Sequence, residues 1–274
     1  MRNNQNRFAA PGPNPAAPPP TGLSYEVPTE FVELPSKGRF YHFDHPLHMQ
    51  ETIEIKYMTA KEEDILSSVA LHKQGLAIER LLENLIVDPN IDSKSLTISD
   101  RNAIMIAARA SSYGNAYEVS ITCNSCGEKQ DYKFDLKKKR INLLCFDENY
   151  LNDCGVEYDS KNLCYIVTLP KSKKRVAIKV MTGLDEIRVG SNDLETNLVT
   201  ALLSKFIISF DGNEDSNFIK HSINSMLAWD SRYLRNLLPQ LSPSIELTQD
   251  FTCKHCNATE EMEVPLTAEF FWPR

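Results

Sequence analysis

Glycine is scarce in this sequence: ten occur in 274 residues, and they are not grouped. No glycine-rich loop is available to wrap backbone N–H groups around a phosphate. The His-Glu-x-x-His helix of zinc hydrolases and the Gly-x-Ser-x-Gly elbow of serine hydrolases are both missing. The zinc deaminase pattern fails as well, because no His-x-Glu occurs and neither Cys-x-x-Cys is preceded by proline. Positive charge is in deficit, with 30 Lys and Arg against 37 Asp and Glu, a net charge of −7 and a pI near 5.5. That balance disfavours general affinity for nucleic acid or for an anionic membrane surface. No run approaches the ~18 consecutive apolar residues of a membrane-spanning helix. Met1-Arg2-Asn3-Asn4-Gln5 has no apolar leader core, so synthesis in a reducing cytoplasm is expected.

What remains is ordinary globular composition, 42% hydrophobic and 24% charged, in a length that suits one large domain or two modest ones. Residues 1–24 stand apart. They hold Pro11, Pro13, Pro15, Pro18, Pro19 and Pro20, and Arg2 and Arg7 are their only side-chain charges. Such a stretch cannot pack a core and reads as a disordered tail, or as an arm that orders on a partner.

From Tyr25 onward the chain carries folded patterning. Ile53, Ile55 and Tyr57 alternate with polar residues, as on a strand. Thr59 followed by Glu62-Glu63 marks a helix start with first-turn acids. Leu81, Leu82, Leu85 and Ile86 recur at helical spacing until Pro89, and Ser99-Asp100 is read as the cap of a further helix running to about Ser111. Residues 117–123 and 130–136 then read as two strands around Cys123-Asn124-Ser125-Cys126-Gly127. The second half presents a similar order: Leu169-Pro170 echoes Leu34-Pro35, Ile178-Lys179 echoes Ile55-Lys56, a helix beginning at Asp230 echoes the Asp100 helix, and strands flank Cys253 and Cys256. Offsets vary from 123 to 135 positions, which requires insertions, one of them the Ser36–Glu51 loop. Matched landmarks in one order point to internal duplication. The expected fold is α+β: a tail over 1–24, a first repeat over 25–143 and a second over 144–274, related by a pseudo-twofold axis.

Four of the seven cysteines form the two Cys-x-x-Cys pairs; Cys145, Cys154 and Cys164 lie between them without motif spacing. Zinc takes four soft ligands in a tetrahedron, and each pair supplies two thiolates from one turn. Cys123, Cys126, Cys253 and Cys256 are thus candidate ligands of one structural zinc, split over a 126-residue spacer. Metal-free thiol or disulfide pairs are the other reading. A fully thiolate-ligated zinc has no open position for catalysis. His255, inside the second pair, is expected to be exposed rather than a ligand.

Other candidates carry weaker signals. His42, His45 and His48 are regularly spaced, but Asp44 and Pro46 place them in a turn-rich loop. Lys137–Arg140 and the run from Lys171 to Arg175 read as solvated turns or as contacts for an acidic partner. Phe270-Phe271-Trp272 either fold back onto the core or anchor a neighbouring subunit.

The landmarks also resemble a known family, the baseplate hub and hub-assembly proteins of T-even-like contractile-tailed bacteriophages. The resemblance runs through residues 34–41 (LPSKGRFY), His45-Pro46-Leu47, and residues 53–66 (IEIKYMTAKEEDIL), the most specific stretch. Asp100-Arg101-Asn102-Ala103-Ile104 and Cys123-x-x-Cys126-Gly127 complete it. It is good over about residues 29–136 and weaker beyond, where Cys253 and Cys256 are the best anchor. It implies a non-enzymatic structural or assembly protein of the baseplate hub, made in the host cytoplasm and located in the virion tail. Its implied partners are other baseplate and hub proteins, not nucleic acid or membrane. No catalytic residues carry over. A zinc-ribbon nucleic-acid binder and a metal-assisted hydrolase are the rival readings; the first would need a basic face and the second an open ligand position.

Overall fold

The computed structural model describes residues 27–187, 198–264 and 268–271; the tail over 1–24 and Trp272 to Arg274 lie outside them. Strand β1 (Thr29–Glu33) pairs antiparallel with β2 (Thr52–Lys56), Val32 opposite Ile53. Period-2 alternation turns Val32, Ile53 and Ile55 inward. The Ala60–Ser67 helix starts with a capping box in which the Thr59 and Glu62 side chains satisfy each other's backbone N–H groups. Helices Val69–Gln74 and Ala77–Leu85 follow, and Gly75, at φ 68°, ends the first of them in the left-handed conformation. Leu81, Leu82 and Leu85 are fully buried.

The next helix spans Ile98–Tyr113, and its cap is Thr97 rather than the Ser99-Asp100 pair expected from sequence. Asp100 sits inside the first turn because its carboxylate is committed elsewhere. Oδ1 accepts the Ser36 N–H at 3.0 Å and Oδ2 accepts the Tyr41 hydroxyl at 2.5 Å. The first hairpin follows, with β3 (Ala116–Thr122) against β4 (Lys129–Asp135).

After β5 (Arg140–Asn142) and the Glu148–Asp153 helix comes a four-stranded antiparallel sheet. Its order is β6 (Val156–Asp159), β7 (Cys164–Thr168), β8 (Arg175–Lys179) and β9 (Ile207–Phe210). Helices Gly183–Ile187, Leu198–Phe206, Ser216–Asn224 and Ala228–Leu237 accompany it. The chain then returns. Strand β10 (Ser244–Glu246) pairs with β5, and β11 (Thr248–Thr252) with β12 (Thr259–Glu263) forms the second hairpin. The architecture is α+β.

Two cores result. One is built from Val32 to Leu136 together with Leu247, Phe251, Cys253, Val264, Phe270 and Phe271. The other lies between Cys145 and Leu241. The packing therefore does not divide the chain where the order of landmarks does, since the second hairpin closes the first core. Phe270 and Phe271 are buried at 3% and 6% exposure, and the Phe270 carbonyl accepts Arg109 Nε–H at 2.7 Å. Of the two readings of the terminal aromatics, these residues follow the core one.

The two cores are joined by backbone and side chains. Ile98 N–H donates to Met181 O, and Gly183 N–H to Leu96 O. Arg101, buried, donates to Glu79 at 2.8 Å and to Ser93 O at 3.2 Å. A Cβ at Gly183 would lie 2.1 Å from Arg101 Nη1, so any larger residue here would have to push the Arg101 guanidinium aside. The Ser36–Glu51 loop crosses to the second core, where Phe40 stacks on Phe146 and Arg39 O accepts the Tyr158 hydroxyl.

Candidate metal centre

Each hairpin ends in a tight knuckle with the same backbone pattern. Cys123 N–H donates to Glu128 O and Gly127 N–H returns to Cys123 O; Cys253 N–H donates to Ala258 O and Asn257 N–H returns to Cys253 O. The returning residue takes positive φ in both, 74° at Gly127 and 57° at Asn257, and asparagine is among the few side chains that tolerate this. The first cysteine of each knuckle is buried and the second exposed.

The packing of β3–β4 against β11–β12 brings the knuckles together. Tyr132 donates its hydroxyl to Asp250 O, and the Gln249 amide makes two hydrogen bonds with the Asp135 backbone. Tyr132 meets Phe134 and Phe251 edge-on, which fixes the contact with aromatic area. All four sulfurs consequently lie within 4.8 Å of one another. Across the knuckles, Cys123 Sγ is 3.8 Å from Cys256 Sγ and Cys126 Sγ is 3.7 Å from Cys253 Sγ. A disulfide needs about 2.05 Å. A tetrahedron with zinc–sulfur bonds of about 2.3 Å has sulfur–sulfur edges of about 3.8 Å. The donor set and its spacing fit a tetrahedral thiophilic cation, and the four cysteines could hold one.

The thiols are electrostatically unequal. The backbone N–H groups of Cys256 and His255 stabilise the Cys253 thiolate and hold that group down to about 6. At Cys126 the Glu128 backbone contact favours the thiolate, but desolvation and the three neighbouring sulfurs drive the group up to about 12. Thiolates packed this closely repel, and a divalent cation among them removes that penalty.

The other sequence candidates are not brought to this cluster. His42 Nδ1 is bound to Asp44, His45 Nε2 to the Ser95 hydroxyl, and His48 Nδ1 to Tyr41 O, so each histidine has its own local partner. His255 is exposed and its backbone N–H contacts Cys253 Sγ at 3.4 Å. Cys145 is buried in the second core, where desolvation pushes its thiol up to about 12. Lys137 and Lys138, like Lys171, Lys173 and Lys174, are exposed in turns. Among the described residues, the cysteines are the one group of three or more Cys, His or acidic side chains placed to hold a metal ion.

The fold and this cluster define an α+β protein with a candidate four-cysteine metal centre between two hairpins. The chain belongs to the T4 bacteriophage base plate protein family, which it matches over residues 27–272. No curated protein and no solved structure matches it. Family membership supports a structural role in the phage baseplate, as a component of the virion tail among other tail proteins. No described helix is long and apolar enough to cross a membrane.

Proposed function

We propose that this protein is a non-enzymatic structural or assembly component of the central baseplate hub, and that one zinc ion on Cys123, Cys126, Cys253 and Cys256 locks its two hairpins together. The observation that carries the zinc reading is the pair of inter-knuckle sulfur distances, 3.8 and 3.7 Å, which match a zinc–thiolate tetrahedron. Four protein thiolates fill the coordination sphere, so the ion holds hairpins rather than activating water. Family membership supports the baseplate role, and the narrower hub assignment rests on the resemblance through residues 34–41, 45–47 and 53–66, Asp100–Ile104 and the Cys123–Gly127 knuckle.

Internal duplication of the segments 25–143 and 144–274 is part of the proposal. Its support lies in matched detail at several levels. The Thr59–Glu62 contacts recur at Thr182–Asp185, where the Asp185 carboxylate takes both the backbone N–H and the hydroxyl of Thr182. Leu34 N–H closes β1–β2 onto Glu51 O, and Leu169 N–H closes β7–β8 onto Lys174 O. The two knuckles share the backbone pattern already described.

Mass spectrometry of purified particles beside infected-cell lysate, with zinc measured on the isolated protein, tests both parts. Absence of the protein from particles, together with normal tail assembly when it is deleted, would refute the baseplate role. A metal-free native protein would refute the zinc.

A further inference from the structure

Beyond the four sulfurs, the knuckles grip each other through a reciprocal pair of side chains. Gln130 Oε1, on β4, accepts the backbone N–H of Lys254 at 2.9 Å. Glu260 Oε1, on β12, accepts the backbone N–H of Asn124 at 3.4 Å, and Glu260 Oε2 accepts Asn124 Nδ2 at 3.0 Å. Asn124 and Lys254 each follow the first cysteine of their knuckle, and Gln130 and Glu260 each stand seven positions after that cysteine. Each hairpin thus holds the other hairpin's knuckle at the residue beside a sulfur. The exchange Cys123 to Cys256 and Cys126 to Cys253 obeys the same reciprocity. Gln130 is buried at 8% exposure, and its Nε2 finds no hydrogen-bond partner among the described residues. Burying an amide donor without a partner is costly, and the bond that the same amide's oxygen accepts from Lys254 N–H offsets part of that cost.

We infer that Gln130 and Glu260 are positioning residues of the metal centre, each fixing the backbone of the opposite knuckle so that the four sulfurs are held at coordination distance. This inference rests on the zinc reading of the cysteine cluster. Neither residue is a ligand. Their effect passes through Lys254 N–H and Asn124 N–H to the adjoining cysteines, in the way that outer groups orient ligands at other metal sites.

The test uses the full chain. Zinc affinity is read by competition with a chromophoric chelator, and cobalt-substituted protein supplies thiolate-to-cobalt and d–d absorption that reports tetrahedral geometry. Gln130→Met keeps volume but removes the acceptor; Glu260→Ala removes the partly exposed carboxylate with little burden on folding. Each is expected to lower zinc affinity by about tenfold or more, the usual range for outer-shell partners. Each should also speed cobalt loss and perturb the d–d bands, while stoichiometry stays at one and far-ultraviolet dichroism is unchanged. Glu260→Gln keeps the acceptor and should restore wild-type affinity. Wild-type affinity and spectra in both Gln130→Met and Glu260→Ala would overturn the inference and leave the zinc intact. Wild-type protein that binds neither ion overturns the zinc reading, and the positioning role with it.

Discussion

Asp100 and Asp230 hold the same place in two different helices. Each is the third residue of its helix, each is fully buried, and each carboxylate accepts the backbone N–H of the residue that follows a Leu-Pro pair: Ser36 at 3.0 Å for Asp100 and Lys171 at 2.8 Å for Asp230. Each ties the start of a helix to the turn that leaves a strand. Their second oxygens differ. Asp100 takes the Tyr41 hydroxyl and Asp230 takes the Ser172 N–H.

That difference predicts opposite acid behaviour. Burial raises Asp100 above the ordinary carboxylate value. Burial also acts on Asp230, but hydrogen bonds from Ser172 and the Lys171 backbone outweigh it and lower the group. Unfolded, both titrate near about 3.9. The stability tied to Asp230 ionisation is full above that value and is lost as pH falls through the lower folded value. That tied to Asp100 is full below about 3.9 and is lost as pH rises through the higher folded value. Asp230→Asn leaves one buried N–H unpaired and should cost about 1–3 kcal/mol at neutral pH. Denaturant titrations between pH 3 and pH 7 should show its penalty shrinking below about pH 4 and the Asp100→Asn penalty growing as pH falls toward that value. Parallel pH profiles for the two variants would contradict the assignment.

Metal content should be one zinc per chain. Cys123→Ser and Cys253→Ser are each expected to lose it, and Cys145→Ser to retain it, because Cys145 lies in the other core. Elemental analysis of the purified variants checks this; two zinc ions per chain, or retention after Cys253→Ser, would exclude a shared centre.

Chelation should loosen the docking of the second hairpin onto the first. Structural zinc contributes on the order of 10 kcal/mol to folding in small zinc-finger peptides. Here other contacts, including Phe251 and the Tyr132–Asp250 hydrogen bond, also hold the hairpins. The expected outcome is a lowered melting temperature and faster hydrogen exchange in β11 and β12. An unchanged melt after confirmed zinc removal would count against it.

Deleting residues 270–274 should destabilise the protein rather than only weaken assembly. Truncating one buried phenylalanine typically costs about 3–5 kcal/mol, and two are lost. Arg109→Ala should mimic part of the effect. Its guanidinium, buried at 2% exposure, joins Phe270 O to Gly114 O. Thermal denaturation of both variants is the measurement, and a wild-type melting temperature in the deletion would show that these rings are dispensable to the core.

Gly183→Ala should force Arg101 away from Glu79. The added methyl would need the room that Arg101 Nη1 occupies at 2.1 Å, and overpacking of this kind costs about 1–3 kcal/mol. A crystal structure of the variant should show the Arg101–Glu79 contact broken or the Gly183–Ile187 helix displaced; neither change, with stability intact, would remove the proposed constraint.

Much of the site was legible because its signals are local. The Cys-x-x-Cys pairs, the flanking alternation and the Thr59 cap each occupy a few consecutive residues, and each element lies close to where sequence places it. The β6–β9 sheet was legible only in part: the echoes at Leu169-Pro170 and Ile178-Lys179 mark β7 and β8, while β6 and β9 gave no signal. Val156–Asp159 and Ile207–Phe210 are four residues each, too short to show a clean period. Asp100 misleads as a cap because its true partners, Ser36 and Tyr41, are about sixty positions away. Alternation puts Gln130 on the face of Tyr132 and Phe134, and Glu260 on the face of Met262, but it does not say what a polar side chain on that face would hold. The signal that could have found them is their shared seven-position offset from a cysteine.

The return of the last segment to the first core has a consequence for the order of events on the ribosome. Residues from Val32 to Leu136 emerge early, yet their core is finished by Leu247, Phe251, Val264, Phe270 and Phe271. The intervening stretch, with a hydrophobic cluster of its own, is synthesised before those finishing residues. A nascent chain halted before Phe251 therefore presents an unfinished apolar surface and one half of its cysteine cluster, and is exposed to aggregation for as long as synthesis pauses there.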